Sequence, residues 1–238
     1  MFRTILYAIY YWGLLILSLI LFMPYAVISL LGQKKFLNNY LQVITSAWAR
    51  NVLWTAGIRV KIQGLNNLPD KDNVCFISNH QGYADIPLIM GYIQKTVGFV
   101  AKKELAYVPL LSYWMRALHC IFIDRNNKKQ ALKAIESGVH NIKQGYPMLI
   151  FPEGTRSKSV HIGKFKPGSL KIAVRSKAIV VPLTVNGTYK LLEEKGRVTP
   201  GQVSLTIHPA VDLAKLSFEN KEKLADKLRQ IISSGLNA

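Results

Sequence analysis

From Thr4 to Gln33 the chain carries no charged residue, and Leu, Ile, Tyr, Phe and Val make up most of the stretch. About 20 apolar residues suffice for a helix to cross a bilayer, so this segment is long enough, whereas the core helix of a soluble domain shows polar positions at a helical period. A secretory signal fits poorly, because the apolar run is too long and no small-residue cleavage site follows it. Pro24 lies inside the run and is expected to kink or break the helix. A second helix is predicted over "FLNNYLQVITSAWARNVLWTAG", where Leu37, Tyr40, Leu41, Ile44, Ala47, Trp48 and Val52 recur at helical spacing and Gly57 stands as a cap. Two arrangements satisfy this pattern: one spanning helix followed by an amphipathic one, or a helical pair that enters one leaflet and returns. Arg3 at one end and Lys34 with Lys35 at the other do not separate them by charge bias. In either case residues 1–57 read as membrane-anchoring helices.

Charge narrows the partners. Against 13 Asp and Glu the sequence sets 31 Lys and Arg, a net charge of +18, which calls for anionic partners such as acidic lipid, phosphorylated substrate or an acidic carrier protein. Nucleic acid would require a recognition motif or aromatics interleaved with the basic residues, and neither occurs. The two cysteines, Cys75 and Cys120, sit in apolar runs without metal-ligand spacing, so buried free thiols are expected and a disulfide framework or metal site is not.

Past Gly57 the period changes. "IRVKIQG" alternates apolar Ile58, Val60 and Ile62 with polar neighbours, as a half-buried strand does. The short apolar runs "VCFIS", "VGFVA", "CIFI", "PMLIF" and "AIVVPLTV" suit strands buried on both faces, as in a parallel sheet covered by helices. Between them, residues 126–145 carry Leu132, Ile135, Val139 and Ile142 on one face, a crossover helix. "VSLTIHPAV" reads as a further strand, and the last stretch as an amphipathic helix with Leu224, Leu228, Ile231 and Ile232 inward. No linker divides residues 58–238. The expected fold is an α/β domain with a largely parallel or mixed sheet, preceded by the two-helix membrane motif.

Each apolar strand ends on polar groups: Asn79-His80, Asp124-Arg125, "PEGTR" at 152–156, and Asn186-Gly187. In open α/β sheets ligands bind just outside the carboxyl ends of the strands. His80 and Asp85 would lie about 140° apart on a helix and on opposite faces of a strand, so they can meet only across a turn, for which Gly82 supplies freedom. An aspartate so placed fixes one imidazole tautomer and leaves the other nitrogen to take a proton. The plain alternative is a helix cap beside a loop histidine. In "FPEGTRS", Gly154 lets backbone amides approach a ligand, Thr155 offers a hydroxyl and Arg156 presents a planar fork for phosphate oxygens. Arg125 offers a second guanidinium, with Asp124 or Glu153 to orient one of the two; its plain alternative is an ion pair with Asp124.

These blocks carry a resemblance. "NHQGYAD" matches the NHxxxxD signature of glycerolipid acyltransferases, and "IFIDR", "FPEGTRS" and "VVPLTV" match, in order, the other blocks of the 1-acyl-sn-glycerol-3-phosphate (lysophosphatidic acid) acyltransferase family. The likeness runs from about Phe76 to Gly187, and the paired N-terminal helices resemble that family's membrane motif. His119 departs from it, standing where the family often has glycine. Lys102 lies where the family tends to carry a basic residue, which adds it to the substrate-binding candidates with Arg125, Glu153, Gly154, Thr155 and Arg156.

The resemblance implies acyl transfer from a thioester, acyl-CoA or acyl carrier protein, to the sn-2 hydroxyl of lysophosphatidic acid, giving phosphatidic acid. His80 would act as general base and Asp85 would orient it, while the arginines would hold the substrate phosphate. No serine or cysteine nucleophile is evident, so direct transfer without an acyl-enzyme is expected, with neither metal nor cofactor. Anionic membrane lipid is the expected surface, with the active domain on the cytoplasmic face (the inner membrane in a bacterium). Other readings are a different acceptor (another lysophospholipid, a lyso-aminolipid or glycerol 3-phosphate) and a non-catalytic basic membrane-binding protein. "NGT" at 186–188 fits a glycosylation sequon, which a cytoplasmic site would leave unused.

Overall fold

The computed structural model describes residues 1–124, 127–166, 168–214 and 223–236. Three helices open the chain: α1 (Phe2–Leu17), α2 (Leu19–Leu30) and α3 (Lys34–Thr55). The α1–α2 segment, 29 residues long, is long and apolar enough to cross a membrane. Its interruption falls at Ser18 and not at Pro24, which lies inside α2. The Ser18 hydroxyl donates back to the Leu15 carbonyl at 2.6 Å and accepts the Trp114 indole N–H at 2.8 Å. A tertiary hydrogen bond therefore sits at the break, and α2 continues through Pro24, which does not end the helix.

The segment folds back against α3. Arg3 donates to the Ala56 carbonyl at 2.7 Å, Tyr7 to the Val52 carbonyl at 3.1 Å, and Tyr40 on α3 to the Leu21 carbonyl at 2.6 Å. The hairpin's two ends thus lie side by side. Its two arms differ in kind. Phe2, Ile9, Ile20, Met23 and Leu30 stand exposed, whereas Leu41, Ala49, Val52 and Leu53 of α3 are buried, and α3 shares the core of the following sheet. Gly57 closes α3 at a φ of 75°, the left-handed value a helix C-terminus commonly takes.

Among the described residues eight strands form one sheet: β1 (Ile58–Gln63), β2 (Val74–Ser78), β3 (Gly98–Lys102), β4 (Ile121–Ile123), β5 (Met148–Ile150), β6 (Ile179–Asn186), β7 (Gly201–Ile207) and β8 (Val211–Asp212). Their order is β1-β7-β6-β2-β5-β3-β4, with β8 beside β6. Strands β6, β2, β5, β3 and β4 run parallel. β7 and β8 pair antiparallel with β6, and β1 is parallel to β7, so the sheet is mixed.

Crossovers α4 (Asp85–Tyr92), α5 (Leu111–Ala117), α6 (Lys128–Lys143) and α7 (Lys171–Ser176), with the terminal α8 (Leu224–Ser234), cover the sheet. One core layer joins α3, α4 and the sheet, around Phe76, Leu88, Ile89 and Leu183. The other joins the sheet to α6, α7 and α8, around Cys75, Ile142, Val180 and Leu228. The expected inner face of α6 is corrected in one place, for Leu132 is 53% exposed. Ala134, Gly138 and Ile142 turn inward instead; a Cβ on Gly138 would come within 2.7 Å of Ile172, so α6 packs closely on α7 there. Cys75 is buried as expected, and burial raises its thiol pKa far above the ordinary value.

Candidate active site

Because β6, β2, β5, β3 and β4 are parallel, the segments leaving them converge on one edge. The turn after β2 is pinned first. Asn79 is buried, donates from Nδ2 to the Val185 carbonyl at 2.8 Å and accepts from the Val185 amide at 2.8 Å, joining the end of β2 to β6. Next in the chain, His80 places Nδ1 2.7 Å from Asp85 Oδ2. A carboxylate only accepts, so Nδ1 carries the hydrogen and Nε2 is left as the acceptor. Oδ2 also accepts from the amides of Gln81 at 2.6 Å and Gly82 at 2.9 Å. Asp85 is fully buried at the first position of α4, and the His80 side chain is 17% exposed.

A second set of contacts fixes the imidazole plane. Phe151, which follows β5, stacks on His80 at 3.9 Å between centroids and 18° between planes. Ser157 donates its amide to the His80 carbonyl at 2.7 Å. Glu153, expected at the substrate, is a buried brace: Oε1 accepts the His80 amide and Oε2 the Gly163 amide, each at 2.7 Å. Burial raises its pKa, and the two amides pull it back. Among the described residues no guanidinium bonds to it.

The cationic side lies nearer solvent. Arg156 stacks on Tyr83, with its guanidinium carbon 3.6 Å from the ring centroid, and donates from Nη1 to Glu193 Oε1 at 3.1 Å. Glu193 Oε1 also accepts the Tyr83 amide at 2.7 Å, so one carboxylate ties the "NHQGYAD" turn to the "FPEGTRS" loop. A Cβ on Gly82 would lie 2.6 Å from Glu193 Oε2, so a larger residue there would displace that carboxylate. Gly154 takes a φ of 71°, and its missing Cβ leaves room for Lys166 Nζ, 2.9 Å from where that carbon would stand. Thr155 and Lys102 are exposed, Lys102 closing β3 at the same edge. Arg125 lies outside the described residues. Its neighbour Asp124 accepts from Lys103 Nζ at 2.5 Å.

Residues far along the chain complete the site without any local motif. Gln81, fully buried, accepts the Gly187 amide on Oε1 at 2.9 Å, while its Nε2 has no partner among the described residues. Thr188 donates its hydroxyl to Asp85 Oδ1. Glu193 and Tyr83, which hold Arg156, were equally silent in the sequence. His119, at a φ of 58°, stacks on Tyr146 at 3.7 Å, and burial with nearby Lys34 lowers its pKa.

Beside the site lies a cavity of about 550 Å³. Ser18, Trp48, Ile86, Met90, Phe99 and Trp114 are among its lining residues, so α1–α2, α3, α4, α5 and β3 all contribute. Ile86 is next in the chain to Asp85, and nearly all of the wall is apolar. Among the described residues no cluster of His, Cys, Asp and Glu could hold a metal ion.

Fold and site together define an α/β protein with a carboxylate-bound histidine at the carboxyl edge of its sheet and an arginine in the neighbouring loop. Residues 59–186 match the model of the Acyltransferase family, and the chain belongs to that family. It is 32% identical to a probable 1-acyl-sn-glycerol-3-phosphate acyltransferase of Mycoplasma pneumoniae, over 79% of this chain and 76% of that one. With 1-acyl-sn-glycerol-3-phosphate acyltransferases of Chlamydomonas reinhardtii and Brassica napus it shares 31% and 28% identity over 78% and 85% of its length. It spans 57% and 58% of those two relatives. The crystal structure of the 1-acyl-sn-glycerophosphate acyltransferase PlsC from Thermotoga maritima superposes with a TM-score of 0.84 at 29% identity, covering 98% of this chain and 95% of that one.

Proposed function

We propose that the protein transfers a fatty acyl group from an acyl thioester to the sn-2 hydroxyl of 1-acyl-sn-glycerol 3-phosphate, forming phosphatidic acid at a membrane surface. The observation that carries this reading is the His80–Asp85 pair, with Nδ1 held at 2.7 Å and Nε2 without a partner among the described residues, in a chain whose relatives bear that enzyme's name. An alcohol is scarcely ionised at neutral pH. His80 Nε2 takes its proton as the oxygen attacks the thioester carbonyl, an effect worth roughly 10²- to 10⁴-fold. Asp85 keeps the imidazole in the required tautomer and stabilises the imidazolium that forms. As the tetrahedral adduct collapses, the carbon–sulfur bond breaks and the thiolate leaves, taking back a proton from His80.

Arg156 holds the phosphate of the acceptor, with Lys102 and Arg125 as further cations from neighbouring strand ends, and positions the hydroxyl. Thr155 and the amides around Gly154 border that pocket. The apolar cavity, within the usual size range of small-molecule sites, takes a hydrocarbon chain. The exposed apolar face of α1–α2 sinks into the bilayer, and basic side chains facing anionic lipid add on the order of 1 kcal/mol each. Acyl-CoA or acyl carrier protein approaches from the cytoplasmic side. No metal or other cofactor enters the reaction.

Thiol release from a long-chain acyl thioester by protein in anionic vesicles, with lysophosphatidic acid present or omitted, tests this reading. Wild type is expected to form phosphatidic acid, and His80→Ala at matched folding to lose at least about a hundredfold in kcat. Activity with glycerol 3-phosphate or another lysolipid, but none with lysophosphatidic acid, would replace the acceptor. An unaffected His80→Ala variant would remove the base.

A further inference from the structure

The catalytic carboxylate has two oxygens, and the motif accounts for one of them. Asp85 Oδ2 serves His80 Nδ1 and the amides of Gln81 and Gly82, all from its own turn. Oδ1 faces away from that turn, towards the chain that follows β6. There Gly187, at a φ of 90°, redirects the backbone into a single helical turn, Thr188–Lys190, and the Thr188 hydroxyl donates to Oδ1.

Asp85, Thr188 and Gln81 are all 0% exposed, so bulk water cannot replace a missing donor. A threonine hydroxyl has one hydrogen to give. The Gln81 Oε1, 3.4 Å from it, already accepts the Gly187 amide at 2.9 Å. The charged oxygen of Asp85 is the stronger acceptor, so the hydroxyl is committed to it. Gln81 in turn holds Gly187, and hence Thr188, at the right height above the turn.

We propose that Thr188 is a positioning residue of the base. Its hydroxyl fixes the rotation of the Asp85 carboxylate so that Oδ2 stays in line with His80 Nδ1 and Nε2 stays free for the substrate hydroxyl. Without it Oδ1 is a buried, desolvated anion with no donor. The carboxylate then gains by turning towards any amide within reach, and the imidazole loses its fixed tautomer. A threonine that served only the fold would affect stability and leave turnover per folded molecule unchanged. The inference rests on the general-base reading above, not on the identity of the acceptor.

Thr188→Val keeps the side-chain volume and removes the hydroxyl; Thr188→Ser keeps the hydroxyl and removes the methyl group. For Thr188→Val, kcat per folded molecule is expected to fall roughly tenfold to a hundredfold, the range for leaving a buried charged acceptor unpaired. The KM for lysophosphatidic acid should stay within about twofold, and Thr188→Ser should recover activity to within about threefold of wild type, since the donor is restored. Turnover retained in Thr188→Val, or lost equally in Thr188→Ser, would overturn the proposal. Should valine prevent folding, Thr188→Cys takes its place under the same criteria, because a thiol is a poor donor of similar size.

If wild type proves inert towards lysophosphatidic acid, the acceptor is wrong, and Thr188 is then judged without any substrate. The readout is nuclear magnetic resonance of ¹⁵N-labelled histidine. A single Nδ1–H tautomer of His80 in wild type and a mixture in Thr188→Val supports the inference. Identical His80 signals in the two proteins refute it.

Discussion

The two halves of the site are built differently. Around His80 and Asp85 the carboxylates of Asp85 and Glu153 are buried and held by partners that include backbone amides, which cannot swing away. Around Arg156 the determinants are long side chains nearer the surface, the guanidinium itself 25% exposed and Lys102 and Thr155 fully on the rim. A base must be in place before the substrate arrives, because misalignment by an ångström is costly. A phosphate is bulky, charged and forgiving of angle, so cations that adapt can hold it. Substitutions on the first side should therefore act on kcat, and those on the second on KM.

Asp85→Asn breaks the buried half hardest. With the amide oxygen in the place of Oδ2, the charge that stabilises the imidazolium is gone and the NH2 meets the Thr188 hydroxyl; with the amide flipped, the NH2 faces Nδ1 and forces the wrong tautomer. A loss of roughly 10²- to 10⁴-fold in kcat is expected, with little change in KM, in the vesicle assay. Arg156→Lys probes the other half. It keeps the charge but loses the planar fork that lies on Tyr83 and reaches Glu193. About a tenfold to hundredfold loss in kcat/KM is expected, carried mainly by KM for the phosphorylated acceptor. A fall confined to kcat would erase the distinction between the halves.

Glu153→Gln is the mildest of the three and sharpens the comparison by moving stability. One of its two amide partners, His80 or Gly163, would then face a donor. About 1–3 kcal/mol should be lost, which at roughly 2–4 °C per kcal/mol for a chain of this size is readable in a thermal melt. KM should hold, because both carboxylate oxygens are engaged by backbone amides.

Sequence patterning disclosed what is local. The strand runs, the capping Gly57, the turn that lets His80 meet Asp85 and the loop bearing Arg156 all show themselves within a dozen neighbouring residues. Strand order did not: no residue in "VSLTIHPAV" tells that β7 runs antiparallel to β6 and parallel to β1. The break at Ser18 was hidden, for its hydrogen-bond partner Trp114 lies 96 positions away, while Pro24 drew the expectation to a point inside α2. Leu132 matched a helical stripe yet points outward, because Gly138 rather than a large side chain sets the face that meets α7. Tyr83, Gln81 and Glu193 act through contacts with distant chain, so no spacing rule could single them out, and Thr188 was noticed only as part of a common tripeptide.

Asn79 and Val185, joined by their paired hydrogen bonds, are 106 positions apart. During synthesis the histidine turn emerges first and must wait for the strand that will hold it, on the order of 5 to 20 s at ribosomal rates of about 5–20 residues per second. Closing so long a loop slows folding, since its entropy is lost before the contact forms. A nascent or proteolytically shortened chain ending before Val185 would carry the "NHQGYAD", "IFIDR" and "FPEGTRS" blocks and still lack the hydrogen bonds that hold the histidine turn to β6. On the proposed chemistry, activity is expected only once the strand that carries Val185 has joined the sheet.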